Sequence, residues 1–246
     1  MGVVVGKSGT RTSGTRPRPA GAEPVARTVA SREPAARSGL AGLSPRGRII
    51  LGVVAAIVVA ALGFTIGVVV GRPHYPGENS PEVGFARDMT THHSQAVDMG
   101  MIAFQNATLP EVRTLGGDIA MTQKGQIGIM QGWLQTWGVP VNGTEAPMSW
   151  MPGGADELNG SYLMPGMATQ DEMEKLKAAT GKDVDILFLQ YMIRHHIGGA
   201  HMIDGVLGLD PRPEVRDLAQ TMKNNQQAEV TTMKNLLTQL GAAPLN

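Results

Sequence analysis

The chain has 246 residues, no cysteine and a formal net charge of zero. Lack of cysteine excludes disulfides, thiolate zinc sites and cysteine-held iron-sulfur clusters, leaving any metal chemistry to His, Met and carboxylates. The neutral total hides a split: residues 1–72 carry ten Lys or Arg against only Glu23 and Glu33, while the remainder has 11 Lys or Arg against 19 Asp or Glu. An acidic main part argues against nucleic acid as a partner, because phosphate binding needs a basic face.

Residues 1–48 are mostly Gly, Ser, Thr, Pro, Ala and Arg with no sustained apolar period, which predicts a disordered basic arm. An uncharged stretch follows, Ile49 to Gly71. As a helix it would be roughly 34 Å long at ~1.5 Å per residue, enough for a ~30 Å hydrocarbon core, so 49–71 is read as a transmembrane helix. A cleaved signal peptide would have a shorter apolar region and a small-residue cleavage site, where this chain has Val-Val-Val-Gly-Arg-Pro. The arginine density before the span puts the N-terminus in the cytoplasm and residues 73–246 outside. Gly63, Gly67 and Gly71 recur at a spacing that lets two such helices approach closely, a candidate homodimer face.

Residues 72–81 form a Pro/Gly/Asn tether ahead of a helical domain at 82–243. Ser80-Pro81-Glu82 starts a first helix, expected to run to about Gln105. Thr108 and Glu111 have capping-box spacing for a second, which stops at Gly138 after Trp137. A Gly/Pro/Met loop spans 139–168, and Thr169 with Glu172 caps a short helix. A long helix from Asp183 to about Leu209 and a last one from Asp210-Pro211 to Gly241 complete the chain.

Residues 85–138 align without a gap onto 188–241. Phe85, Met89, His92, His93 and Met99 fall on Phe188, Met192, His195, His196 and Met202, and Pro110-Glu111-Val112-Arg113 falls on Pro213-Glu214-Val215-Arg216. A repeat of helix, short turn and helix predicts an all-α fold, an antiparallel four-helix bundle built from a duplicated hairpin. One local signal disagrees: the second helix holds Gly116, Gly117, Gly125, Gly128 and Gly132, each costing up to about 1 kcal/mol relative to Ala.

At 100° per residue, Phe85, Met89, His92, His93, Ala96 and Met99 share one helix stripe, and so do their counterparts ending at Met202. Facing each other, the stripes would bring four imidazoles and up to four thioethers into one interior zone, with small Ala96 and Gly199 leaving room. Thioether plus imidazole suits Cu(I), with Ag(I) as surrogate, and imidazole alone also accepts Cu(II) or Zn(II). The candidate metal ligands are therefore His92, His93, His195 and His196 with up to four thioethers, Met89, Met99, Met192 and Met202. Against this stands the ordinary reading of His and Met as hydrogen-bonded or gap-filling core residues. Four imidazoles packed without metal, however, are hard to satisfy.

Accessory candidates are Asp88, one turn before His92 and able to orient an imidazole, and His201, which points away toward another helix or water. The loop adds Met148, Met151, Met164 and Met167, with Trp150 beside them. These form either an outer Cu(I) site or, the preferred reading, a hydrophobic flap over the bundle mouth. Met101, Met121, Met130, Met222 and Met233 are expected in the core.

The segments Met89 to Met99 and Met192 to Met202, each His-His-x5-Met, with the helix ending Trp133-Leu134-Gln135-Thr136-Trp137-Gly138, resemble the DUF 305 family over about residues 80–243. The resemblance implies a ferritin-like four-helix domain, mostly bacterial and secreted or membrane-anchored, with some members implicated in periplasmic copper binding and tolerance. It carries His92, His93, Met99, His195, His196 and Met202 over as ligand candidates, with Met89 and Met192 close by, and this chain departs from the family in having Gly199 where Ala is usual. The expected function is a membrane-anchored, extracytoplasmic copper-binding protein, not an enzyme. The alternative is a metal-free helical interaction module of the cell envelope.

Overall fold

The computed structural model describes residues 42–158 and 162–245. It divides into two units, Met1–Arg72 and Pro73–Asn246. Most of the basic arm, residues 1–41, lies outside the described residues.

In the first unit Ser44 caps a helix, α1 (Pro45–Val70), accepting a hydrogen bond from the Gly47 N–H at 3.2 Å. The helix thus begins ahead of Ile49, because Ser44-Pro45 supplies both a capping hydroxyl and a ring preset for the first turn. None of its residues is buried, and its best window has mean hydropathy 2.8, so it is long and apolar enough to cross a membrane. Gly63 and Gly67 lie within α1, whereas Gly71 is its C-cap.

The second unit is all-helical among the described residues: α2 (Pro81–Asn106), α3 (Pro110–Trp137), a 3-10 turn at Gly154–Leu158, α4 (Gln170–Ala178), α5 (Lys182–Gly208) and α6 (Pro213–Gln239). The hairpin α2–α3 recurs as α5–α6, as the self-alignment predicts. Helix α2 packs on α3 and α5, and α5 packs on α6. Asp185, at the start of α5, accepts from the backbone N–H groups of Thr108 (3.2 Å) and Leu109 (2.9 Å), just beyond the end of α2. This fixes α2 and α5 as antiparallel neighbours.

The same contact corrects the start of α3. Thr108 forms no capping box with Glu111; its hydroxyl donates to the Asp185 carboxylate instead, and α3 begins at Pro110 without a side-chain cap. A buried carboxylate needs several donors and takes the nearest ones. The predicted Thr169/Glu172 box is present. The last helix begins at Pro213 rather than Pro211, after Arg212.

The glycines of α3 do not break it. A Cβ on Gly100 of α2 would stand 2.6 Å from the Gly116 carbonyl oxygen, and one on Gly116 would stand 2.7 Å from that of Gly100. The two backbones therefore touch, and close packing offsets the propensity lost. Gly125, Gly128 and Gly132 face open space and have no such role.

The apolar core is in two parts. One cluster, at the end where α5 begins, includes Met99, Ile119, Phe188, Met192, Met233 and Leu237. The other, at the opposite end, includes Phe85, Met89, Met130, Leu134, Met202 and Met222. Met101 and Met121 belong to neither: they are 39% and 78% exposed, correcting their assignment to the core. Met130, Met222 and Met233 are buried as expected.

Candidate metal centre

Between the two clusters lies a buried polar layer to which every long helix of the bundle contributes. α2 supplies His92 and His93, α3 supplies Gln123 and Gln126, α5 supplies His195 and His196, and α6 supplies Gln226. Glu229, one turn further along α6, bonds into the same layer. The spacings i, i+1 and i, i+3 put each pair on one inward face of its helix.

His92 and His195 stack with ring centroids 3.8 Å apart and planes inclined at 34°. His195 and His196 are 6.3 Å apart. Each ring is held through Nε2: His92 by the Pro165 carbonyl (3.0 Å), His195 by the His92 carbonyl (3.1 Å), His93 by Gln126 Oε1 (2.8 Å) and His196 by Glu229 Oε2 (2.6 Å). All four partners are acceptors, so Nε2 carries a proton, and in a neutral ring the lone pair is left on Nδ1.

Among the described residues the four Nδ1 atoms have no partner, and neither do the buried carbonyl oxygens of Gln123 and Gln226. Six desolvated acceptors with no donor among them form an interior suited to a cation. Burial pushes the His92 imidazole down to about 4 and that of His93 to about 3, and with nearby imidazoles holds His195 well below its ordinary value. Neutral imidazole is the form that ligates metal. As the rings stand, no group of three or more His, Asp or Glu side chains among the described residues is gathered to hold a metal. Their Nε2 anchors tie them to four separate partners.

Small residues make the layer possible. A Cβ on Gly199 would lie 2.9 Å from Gln226 Oε1 and 3.2 Å from His92 Cε1, so the glycine keeps free the space beside both groups, as expected.

The thioethers do not converge as predicted. Met99 and Met192 lie in one apolar cluster, Met89 and Met202 in the other. The reason is the antiparallel pairing of α2 and α5: a Met before the His pair on one helix sits level with a Met after it on the other. The imidazole layer is thus flanked by one Met pair on each side. All four are fully buried.

Asp88 does not orient an imidazole. Its Oδ2 accepts from the Met148 N–H (2.6 Å) and the Trp150 indole N–H (2.7 Å), fastening the loop to α2. His201 is exposed and bonds Glu157 at 2.9 Å. Met148, Met151 and Met164 are buried in the cluster of Met89 and Met202, with Met167 packed against it. Trp150 meets Phe85 edge-on at 5.7 Å.

The loop therefore packs as a flap on this end of the bundle, and its Pro165 carbonyl reaches the His92 imidazole. Gln95 reinforces it, exchanging two hydrogen bonds with the Ala168 backbone at 2.7 and 2.8 Å. A cleft of about 390 Å³ on its other side is lined by Arg87, Asp88 and Trp150, with no His or Met on its wall.

Gln123, Gln126, Gln226 and Glu229 are not among the residues that the sequence pattern singles out. The self-alignment held the signal: Gln123 falls on Gln226 and Gln126 on Glu229, polar pairs one turn apart on otherwise apolar faces.

Residues 82–237 match the model of a domain of unknown function, DUF305. The chain belongs to the DUF305 family. A DUF305 protein from Streptomyces coelicolor has 39% sequence identity and a TM-score of 0.63, the match covering 69% of this chain and 99% of that one. A DUF305 fragment from Deinococcus radiodurans has 31% identity and a TM-score of 0.56, over 67% and 99% of the two chains. CopM in its Cu(II)-bound form has 29% identity and a TM-score of 0.52, over 65% and 97%. The Cu(I)-bound form of CopM matches at 26% identity and a TM-score of 0.50, over 65% and 96%. A silver-bound form matches at the same identity and score, over 64% and 95%. No curated protein matches this DUF305 chain.

Proposed function

We propose that this DUF305 protein is a membrane-anchored copper-binding protein that sequesters or hands on Cu(I) outside the cytoplasm, without catalysing a reaction. The observation that carries the reading is the set of six buried acceptors left without donors, four of them imidazole nitrogens. Buried lone pairs of this kind cost free energy until a cation or water meets them. The methionines on both sides of the imidazoles favour a soft ion, and the copper- and silver-bound forms of a structural relative point the same way.

His92, His93, His195 and His196 are the nitrogen ligands in this reading. Met99 with Met192 and Met89 with Met202 supply sulfur from either side. The ion enters from the flap end, where Met148, Met151 and Met164 offer thioethers on the way in. Helix α1 anchors the domain, with the arginine-rich arm inside. Loss of membrane retention at alkaline pH on deleting Pro45–Val70 would support the anchor, and unchanged retention would remove it.

The test is titration of the full chain in detergent micelles with Cu(I), Ag(I) and Zn(II), beside a His92→Ala/His195→Ala double variant. Stoichiometric Cu(I) and Ag(I) binding is expected, with added stability of about 2.7 kcal/mol at a hundredfold excess over Kd, and both are lost in the variant. Equal weak binding by the two proteins leaves a metal-free helical module, a reading favoured by the full use of all four Nε2 atoms. Preference for zinc over silver would remove the soft-ligand argument.

A further inference from the structure

The two halves of the polar layer superpose in register but not in charge. His93 and His196 are equivalent in the repeat, and each hydrogen-bonds the residue 33 positions further along the chain. For His93 that residue is Gln126, a neutral amide at 2.8 Å; for His196 it is Glu229, a carboxylate at 2.6 Å. Both imidazoles are fully buried, and the Glu229 side chain is only 21% exposed, so its charge is poorly screened from the layer.

A carboxylate behind a ligating imidazole fixes the Nε2–H tautomer, raises electron density at the opposite nitrogen and adds a negative charge near the ion. An amide does only the first. The effect is larger for a doubly charged ion than for a singly charged one. Among the described residues the other buried polar side chains of the layer are imidazoles and amides, and the buried Asp185 carboxylate is held away from it, at the start of α5, by Thr108 and Leu109.

We infer that Glu229 is the positioning residue that sets the oxidation-state preference of the site: acting through His196, it stabilises Cu(II) relative to Cu(I), while the Gln126 half leaves His93 suited to Cu(I). This rests on the copper reading above. The repeat has kept the hydrogen-bond geometry in both halves and placed charge in one.

The experiment measures Kd for Cu(II), and separately for Cu(I) under anaerobic reducing conditions, on the full chain in micelles. The proteins are wild type, Glu229→Gln, Gln126→Glu and the reciprocal double variant Gln126→Glu/Glu229→Gln. Glu229→Gln should weaken Cu(II) binding at least tenfold more than Cu(I) binding, equivalent to a rise of about 59 mV in the one-electron potential of bound copper. Gln126→Glu should shift the ratio the opposite way, and the reciprocal variant should return it toward wild type.

A purely structural role for Glu229 would lower the melting temperature and leave the ratio alone, which would overturn the inference while leaving copper binding intact. A wild-type protein that binds neither ion removes both readings. Should Glu229→Gln fail to fold, Gln126→Glu alone decides: an unchanged ratio in that variant also overturns the inference.

Discussion

His195 donates its Nε2–H to the backbone carbonyl of His92 at 3.1 Å while the two rings stack 3.8 Å apart. Residues 103 positions apart in the chain are thereby fixed in one layer, and the acceptor nitrogen of each ring stays unused. Arrangement of this kind ties stability and metal binding to the same atoms.

Removing one ring should therefore cost both. His195→Ala leaves a cavity in a packed interior, for which truncation of a large core side chain typically costs about 3–5 kcal/mol. Some of that loss is offset because one unpaired buried acceptor disappears. A net destabilisation of about 2–4 kcal/mol in urea unfolding is expected, with loss of the silver-induced rise in melting temperature. A variant of wild-type stability would show that the ring is not packed.

Acid should unfold the copper-free protein. Unfolded imidazoles titrate near 6.5, whereas burial holds His92 at about 4 and His93 at about 3, and His195 is also held low. Between those limits the unfolded chain binds more protons, so stability is complete above about pH 6.5 and is lost as pH falls toward the folded values. Each ring contributes a slope of about 1.4 kcal/mol per pH unit in that window. The melting temperature should be flat from pH 8 to 7 and fall steeply from 6 to 4. Equal values at pH 7 and pH 4.5 would mean the rings are solvated. The same burial moves proton competition with metal at His92 and His93 well below the pH of about 6 at which an exposed imidazole begins to release metal.

Asp88 holds the flap rather than the metal. Asp88→Ala removes the acceptor for the Met148 and Trp150 N–H groups, and leaving those donors unpaired costs on the order of 1–3 kcal/mol. The cost falls on the loop, so limited proteolysis within residues 139–168 should accelerate and Ag(I) uptake in stopped flow should become faster. Proteolysis and uptake rates both equal to wild type would separate Asp88 from flap closure.

Gly116 tests the backbone contact between α2 and α3. Gly116→Val would drive a branched side chain into the Gly100 carbonyl, with overpacking of about 1–3 kcal/mol or more. Gly128→Ala, at an open position of the same helix, should instead stabilise by up to about 1 kcal/mol. Equal effects of the two substitutions, read by thermal unfolding, would contradict the close approach.

Much of this was legible in the residues. The repeat of His-His-x5-Met with its following Pro-led helix fixed the helix count, the hairpin topology and the burial of the imidazoles, because a period of 3.6 places those side chains on one stripe whatever surrounds them. Periodicity says nothing of the relative direction of two stripes. Only the antiparallel docking of α2 on α5 decided that the methionines divide into two pairs and that Asp88 faces the loop. Partners also come from elsewhere in the chain: Asp185 displaced the Thr108 capping box, and Glu229 reached His196 across helices, through contacts that a local pattern does not encode. What the sequence by itself determined is the inventory of soft and neutral donors and the helices that carry them. What tertiary structure decided is which lone pairs are left facing inward without a partner, since that depends on how the helices pack and where the loop closes.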